Sequence, residues 1–288
     1  MAQTWAQLSV RASAANIDVL ANFLMERGAP GVVLRRNSLD AFFAATLDRA
    51  SLRHDINRFV GAIARLSPRA SRPRLLWKVV RQEDWEHSWK RFIKPRRVGK
   101  SFWVTPPWAE PPKFRRRRVI TIEPGMAFGT GTHATTRGCM EFLEMIADRL
   151  GGKKFSALDV GTGSGILAIA LARLGAVEIW AIDNDPVALQ VARDNLRANA
   201  VANRVRVSGV RLRALRRKFA VVVANLTAET IMELAGDLQN KVAARGFLIL
   251  SGILHQKAAV ISRTFAGRFR VIKRKRSREW VTLLLQRK

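Results

Sequence analysis

A glycine turn set between an apolar strand and an apolar helix constrains this chain more than any other feature. Residues 157–160 are apolar apart from Asp159, which is typical of a buried parallel strand. Three glycines follow at alternate positions over 161–165, and the Ala/Leu/Ile run over 166–174 predicts a helix. A strand, a glycine turn and a helix in this order predict an open α/β sheet. The turn would bring backbone N–H groups close to a nucleotide-like ligand.

The spacing of these glycines discriminates between such ligands. A dinucleotide-binding turn has the pattern G-x-G-x-x-G, whereas Ile166 occupies the sixth position here and the third glycine comes one residue early. The phosphate-binding pattern G-x-x-x-x-G-K-[ST] is absent. The spacing G-x-G-x-G after an acidic residue is the form used by S-adenosylmethionine (AdoMet) enzymes, so AdoMet is the cofactor we predict. Glycine turns also close strand–helix units that hold no ligand, and the turn alone leaves that alternative open.

The next strand supplies a carboxylate. The strand predicted from Val177 to Ile182, apolar apart from Glu178, ends at Asp183, and an acidic residue at the end of the second strand of such a unit hydrogen-bonds the ribose hydroxyls. Asp183 is therefore a candidate ribose ligand, with a solvated loop carboxylate as the alternative. Asp185 and Pro186 are expected to begin the following helix as its N-cap and first residue.

A third strand ends in an amide. The continuous apolar run from Phe219 ends at Asn225, and catalytic groups of open α/β sheets gather at the carboxyl ends of strands. An amide there could accept a hydrogen bond from an amine and orient its lone pair. Asn225 is therefore a candidate catalytic residue, although an Asn in a turn after a strand is an ordinary alternative.

A separate loop rich in Gly and Thr runs from Glu123 to Thr136 and opens another helix. Together with the glycine turn it suggests a cofactor held from two sides, which narrows the chemistry to methyl transfer. His133 in this loop is expected to stabilise the loop through a hydrogen bond. The four histidines are scattered and have no Cys, His or carboxylate partner at ligand spacing, so no metal site is expected.

These residues resemble the PrmA family, which methylates protein L-eleven (L11) of the large ribosomal subunit. The resembling segments are Asp84 to Lys90, Glu123 to Thr136, Leu158 to Leu167, Ile182 to Leu189, Val221 to Leu226, Leu250 to Leu254 and Glu279-Trp280. The F-G-T-G-T-H-x-T-T loop is the most specific of them. One departure is Ala220, which stands where the family usually carries an acidic residue.

The resemblance implies a Rossmann-like AdoMet-dependent methyltransferase domain that modifies lysine or N-terminal amines of a protein. By likeness, Thr136, Gly161, Asp183 and Asn225 match cofactor-contacting positions. The full set of candidate cofactor-binding residues is Thr135, Thr136, Gly161, Gly163, Asp183 and Asn225, and Asn225 is also the candidate catalytic residue. L11 is the expected substrate. A related family methylates lysines of the electron-transfer flavoprotein β subunit, which leaves that substrate as the alternative.

The rest of the chain predicts a second, smaller domain. Residues 1–82 read as β-α-β-β-α-β, a ferredoxin-like α+β unit that would recognise the substrate, with strands expected at Gly31 to Leu34 and Ala41 to Leu47. A Trp- and Pro-rich connector follows over 83–112, and residues 113–288 alternate strands and helices as a doubly wound sheet does.

The charge is strongly positive. There are 51 Lys and Arg against 22 Asp and Glu, a formal net charge of +29, and the excess is clustered, for example in Lys113 to Arg118. Such a field attracts RNA nonspecifically, so an RNA-modifying enzyme is a further alternative; a solvated basic surface is the plainer one. The single cysteine and the lack of a long apolar run indicate a cytoplasmic protein without membrane contact, expected to be a monomer.

Overall fold

The computed structural model describes most of the chain. The described residues are 4–12, 14–35, 37–44, 47–66, 74–81, 94–110, 118–123, 131 and 133–288. The predictions that concern residues 84–90, the basic run at 113–117 and the loop at 124–130 lie outside them. The chain divides into two compact units, with the main boundary between Lys94 and Pro95.

The first unit has the ferredoxin-like fold that the sequence predicts. Its elements are β1 (Thr4–Arg11), α1 (Ala14–Glu26), β2 (Gly31–Leu34), β3 (Ser38–Ala44), α2 (Arg49–Leu66) and β4 (Arg74–Arg81). The antiparallel sheet has the order β2-β3-β1-β4. Alternate residues of β1 are buried against the helices because successive side chains of a strand point to opposite faces.

The predicted bounds of β3 are wrong. The strand begins at Ser38, three residues before the expected Ala41, because β2 and β3 form a tight hairpin. In this hairpin Leu34 pairs with Leu39, and the N–H of Arg35 donates to the carbonyl of Ser38 over 2.8 Å. Pairing with β2, and not the local apolar run, sets where β3 starts.

The second unit opens with a small sheet of β5 (Arg96–Val98), β6 (Phe102–Thr105) and β7 (Arg118–Thr121), in that order. β6 and β7 are parallel. The turn between β5 and β6 is held by the buried carboxylate of Glu144, which accepts hydrogen bonds from the N–H groups of Lys100 (2.8 Å) and Ser101 (2.6 Å).

The main sheet has the doubly wound arrangement predicted from the sequence. Its elements are α3 (Ala134–Leu150), β8 (Phe155–Val160), α4 (Ile166–Arg173), β9 (Ala176–Ile182), α5 (Pro186–Ala198), β10 (Val205–Ser208), β11 (Phe219–Asn225), α6 (Ala228–Glu233), α7 (Ala235–Lys241), β12 (Val242–Leu254), α8 (Ala258–Ala266), β13 (Phe269–Ser277) and β14 (Trp280–Arg287). The strand order is β10-β9-β8-β11-β12-β14-β13, with β14 antiparallel to both of its neighbours.

The direction of the strand order reverses between β8 and β11, which lie side by side in the sheet. Ligands of open α/β sheets bind at such a switch point, outside the carboxyl ends of the strands. The fold therefore places the ends of β8, β9 and β11, at Val160, Ile182 and Asn225, at the edge of the sheet where a cofactor is expected. None of the helices in the described ranges is both long enough and apolar enough to cross a bilayer.

The connection from β10 to β11 is short and contains one turn of 3₁₀ helix, Leu212–Ala214. Leu212 and Leu215 are buried beneath it and anchor it to the core. The basic residues of this connection are exposed.

Candidate active site

The turn after β8 begins at a glycine whose conformation and surroundings disfavour a side chain. Gly161 has a φ of +71°, and a Cβ at this position would clash with the side chain of Leu226. The N–H groups of Gly161 and Thr162 both donate to the carbonyl of Ile182, over 2.9 and 3.0 Å. The turn is thereby tied to the end of β9, and a larger residue at Gly161 would be strained by the positive φ and would displace the side chain of Leu226.

Asp183 lies beside this turn. Its Oδ2 accepts from the N–H of Gly163 (2.9 Å) and its Oδ1 from the N–H of Asp185 (3.1 Å). Asp185 is the N-cap of α5 and Pro186 its first residue, as the sequence predicts. The backbone thus holds the carboxylate in one position while each oxygen keeps a second lone pair.

Most N–H groups of the turn already donate within the protein. The N–H groups of 161, 162, 163 and 165 all donate within the protein, to Ile182, Asp183 and Thr162, so these four are not available to a ligand. The glycines provide close backbone approach, and carbonyl oxygens and side chains are left for polar contacts. The sequence could not reveal this, because three of the four bonds end on Ile182 and Asp183, about twenty residues along the chain.

Asp159 is completely buried in β8. Its Oδ2 accepts from the hydroxyl of Thr162 over 2.7 Å, whereas its Oδ1 has no hydrogen-bond partner within the described part of the chain. Burial raises the pKa of Asp159 from 3.8 to about 7. A buried carboxyl oxygen without a hydrogen-bond partner lowers the free energy of unfolding. The position beside Oδ1 of Asp159 is therefore suited to a cationic or hydrogen-bond-donating group of a ligand.

The end of β11 meets the start of α3. The side-chain Nδ2 of Asn225 donates to Oγ1 of the buried Thr136 over 3.5 Å. The preceding Thr135 is also buried, and its carbonyl accepts from the hydroxyl of Ser251 (3.2 Å), the residue paired with Asn225 on β12. The structure therefore brings Thr135, Thr136 and Asn225 together, although they are about ninety residues apart in the sequence.

An aromatic pair lies next to these threonines. His133 is the N-cap of α3, and its Nδ1 lies 2.7 Å from the hydroxyl of Thr135, which confirms the expected stabilising hydrogen bond. Its ring contacts Trp280 edge-on, with the ring centroids 5.2 Å apart. The indole nitrogen of Trp280 is buried without a hydrogen-bond partner among the described residues.

Sequence reasoning missed Asn195. Its side chain, buried in α5, donates to the carbonyl of Ser164 in the glycine turn (2.9 Å) and accepts from the N–H of Glu123 (3.2 Å), where the Gly/Thr loop begins. The available signal was an Asn on the apolar face of α5, in line with the buried Ala188, Ala192 and Leu196.

Comparison with known proteins identifies the family. A family model described as ribosomal protein L11 methyltransferase (PrmA) matches residues 4–288. The chain belongs to this PrmA family. A ribosomal protein L11 methyltransferase of Citrifermentans bemidjiense is 40% identical over 98% of both chains, and one of Geobacter sp. (strain M21) is 39% identical over 98% of both.

A solved structure agrees with the assignment. The ribosomal protein L11 methylase of Lactobacillus delbrueckii subsp. bulgaricus is 30% identical, has a TM-score of 0.62, and aligns over 68% of this chain and 99% of its own. Membership of the PrmA family makes this chain an AdoMet-dependent methyltransferase. Methylation of the electron-transfer flavoprotein β subunit is not favoured by these relatives.

The PrmA-family site fits AdoMet in its chemistry. AdoMet carries a cationic sulfonium, an ammonium group and a ribose. The site offers a turn with glycine at 161, 163 and 165, a fixed carboxylate at Asp183 and a buried carboxyl at Asp159 whose Oδ1 lacks a partner among the described residues. Carboxylates are suited to both cationic groups and hydroxyl donors.

Proposed function

We propose that this chain transfers methyl groups from AdoMet to lysine or N-terminal amino groups of ribosomal protein L11. The observation that carries the proposal is the Asn225–Thr136 contact beside the glycine turn, in a chain whose relatives are named for this activity over nearly their full length. Asp183 would bind the ribose hydroxyls. The glycine turn, with Gly161 and Gly163, would contact the cofactor through its backbone, and Thr135 and Thr136 would close it from the other side.

The role of Asn225 follows from the way its amide is held. Because Nδ2 donates to Thr136, Oδ1 is left as an acceptor at the end of β11. An amine N–H donating to Oδ1 would have its lone pair directed away from Asn225. AdoMet, when bound, supplies the electrophilic methyl group, and Asn225 would position the attacking nitrogen.

The amine must also lose its proton. A lysine with a pKa near ~10.4 costs about 4–5 kcal/mol to neutralise at pH 7, whereas an α-amine near ~8 costs roughly 1–1.5 kcal/mol. Burial beside Trp280 and His133 would favour the neutral amine, because desolvation disfavours the charged form. Positioning and desolvation are therefore the main contributions that this site would make.

Purified L11 and purified electron-transfer flavoprotein β subunit, each incubated with labelled AdoMet, test the substrate. Label in L11, mapped by mass spectrometry to amino groups, is the expected result. Label only in the flavoprotein subunit, or label in ribosomal RNA that survives protease and is lost on nuclease treatment, would overturn the proposal.

We also propose that the ferredoxin-like unit over residues 1–82 captures the protein substrate. It contains no cofactor motif, and its edge strand β4 exposes the apolar side chains of Leu76 and Val79, which are 69% and 57% exposed. Removing residues 1–82 should leave AdoMet binding intact and abolish methylation of L11. Leu76→Ser should raise the KM for L11 with unchanged AdoMet affinity. Efficient methylation by the truncated enzyme would contradict this role.

A monomer in the cytoplasm is the form in which we propose that the enzyme acts. Cys139 is buried in α3, and burial raises the pKa of its thiol well above the usual range, so it is neither a nucleophile nor available for a disulfide. Light scattering after size-exclusion chromatography tests the monomer, and fractionation of cells tests the compartment.

A further inference from the structure

We propose that the surface around the β10–β11 connection binds single-stranded RNA. This surface, called the β10–β11 basic surface below, consists of Arg204, Arg206, Arg211, Arg213, Arg216, Arg217 and Lys218, all of them exposed. The segment from 201 to 228 contains these seven cations and no acidic residue. RNA binding here goes beyond methyl transfer, because the methyl acceptor remains a protein.

The positive charge of this surface is largely uncompensated. Arg217 forms a double ion pair with Glu178 on β9, in which the Nη2–Oε2 distance is 2.7 Å. None of the other six cations has an ion-pair partner within the part of the chain that the structure describes. A largely unpaired group of cations of this kind attracts a polyanion and releases its counterions.

An aromatic ring lies among the cations of the β10–β11 basic surface. Trp180 on β9 pairs in register with Arg206 on β10, and the guanidinium carbon of Arg206 lies 4.8 Å from the centroid of the Trp180 ring. Arg217 lies over Phe219 in a similar way, at 5.6 Å. A guanidinium stacked on an indole presents a flat cationic surface, and unpaired bases stack on arginine planes and aromatic rings.

The backbone of the connection is held from beneath. The ammonium of the buried Lys241 donates to the carbonyls of Arg213 (3.4 Å) and Leu215, and Leu212 and Leu215 pack in the core. The exposed cations therefore project from a fixed loop. A fixed loop loses less conformational entropy on binding than a free one would.

A second basic segment serves as a comparison. Residues 268–278, around the edge strand β13, also contain seven cations and no acidic residue. Charge on an exposed edge strand prevents pairing with another chain, which accounts for this segment without a ligand. The same reason covers Arg206 on the opposite edge strand, β10, but not the five cations of the β10–β11 connection. Lys275 is paired with Glu141, and no aromatic ring lies against a β13 cation among the described residues.

RNA fits the β10–β11 basic surface better than an acidic protein segment does. An acidic peptide would use the charge alone, whereas RNA supplies phosphates for the loop cations and bases for the Arg206–Trp180 pair. Stacking of this kind is tolerant of sequence, so binding without base specificity is expected.

Fluorescence anisotropy with a fluorescein-labelled uridine oligonucleotide tests the proposal. The test variant replaces Arg211, Arg213, Arg216 and Lys218 with Gln; the matched control replaces Arg270, Lys273, Arg274 and Arg276 with Gln. Both lose four exposed charges. The test variant should bind at least about tenfold more weakly, with the slope of log K against log salt reduced by about 3, whereas the control should change affinity less than about threefold. Equal losses in both variants, or no loss in the first, would overturn the proposal.

Two further measurements distinguish RNA from other partners. Trp180→Leu, which keeps all the charges, should weaken binding at least about fivefold through lost stacking. Poly-glutamate should displace the oligonucleotide much less well than unlabelled RNA does. Wild-type affinity in Trp180→Leu would show that the ring takes no part in binding, and equal displacement by poly-glutamate would show a site for acidic polymers in general. Either result would overturn the assignment to single-stranded RNA. All variants should keep wild-type AdoMet affinity and wild-type methylation of free L11, which verifies their folding.

Discussion

The side-chain amide of Asn195 donates to the carbonyl of Ser164, in the middle of the glycine turn, from a helix that is not part of the turn. Its oxygen accepts from the N–H of Glu123, which follows β7 and is the first residue of the Gly/Thr loop. Asn195 therefore connects the two segments that we propose hold the cofactor. Its neighbour Asn199, one turn later, bonds to both backbone groups of Thr121 and does not contact the glycine turn.

This difference gives a matched pair of variants. Asn195→Ala should weaken AdoMet binding by about 1–3 kcal/mol, because the turn and the loop lose a shared anchor. Asn199→Ala should lower the melting temperature by at least as much and change AdoMet affinity less than about threefold. Calorimetry and thermal denaturation measure both properties. Equal loss of affinity in the two variants would show that Asn195 acts only through general stability.

Asp183→Asn tests the carboxylate beside the turn. The variant keeps the shape of the side chain and loses the charge, so AdoMet should bind about 1.5–3 kcal/mol more weakly in calorimetry. Asp185→Asn is the control, because Asn caps a helix as well as Asp does and the affinity should be unchanged. Wild-type affinity in a folded Asp183→Asn enzyme would remove Asp183 from the cofactor site.

Asn225→Ala should separate turnover from cofactor binding. If Asn225 orients the amine, kcat should fall by about thirtyfold or more, while the Kd for AdoMet changes less than about threefold. Thr136→Val removes the acceptor that holds the amide but leaves Asn225 in place, so its kcat should fall by less. Steady-state kinetics with L11 gives these values. Parallel losses in kcat and in AdoMet affinity would make Asn225 a cofactor ligand only.

The sequence predicts the strands that carry the site because each is a largely apolar run that ends in a turn. Phe219 to Asn225 and Val177 to Ile182 are strands as expected, and Asp185 begins α5. The local sequence pattern does not predict the bounds of a strand where pairing with a neighbouring strand sets them. Arg96 and Arg97 begin a strand only because β6 lies beside them, and β3 starts where its hairpin closes.

The same limit applies to the site. Asp183 and Asn225 are predictable because each follows an apolar run directly. The bond from Asn195 to Ser164 spans 31 residues, and the bond from Gly163 to Asp183 spans 20. Contacts between residues so far apart along the chain leave no local sequence pattern. The sequence therefore shows which polar residues are present but not which of them already form hydrogen bonds with each other.

Asp159 predicts a dependence of stability on pH. Burial raises its pKa from 3.8 to about 7, so between these values the folded protein holds a proton that the unfolded chain releases. The protonated carboxyl makes its full contribution to the free energy of unfolding below about pH 3.8. This contribution decreases as the pH rises from about 3.8 to about 7 and is lost above about pH 7. A shift of about three pKa units corresponds to about 4 kcal/mol.

Asp159→Asn isolates this contribution, because Asn keeps the acceptor for the hydroxyl of Thr162 and cannot ionise. Urea denaturation of both proteins without AdoMet, from about pH 4.5 to about pH 8, measures the difference in their free energies of unfolding. The stability of the variant relative to wild type should increase with pH and become constant above about pH 7. A difference that does not change with pH would show that the carboxyl of Asp159 titrates in the folded protein as it does in the unfolded chain.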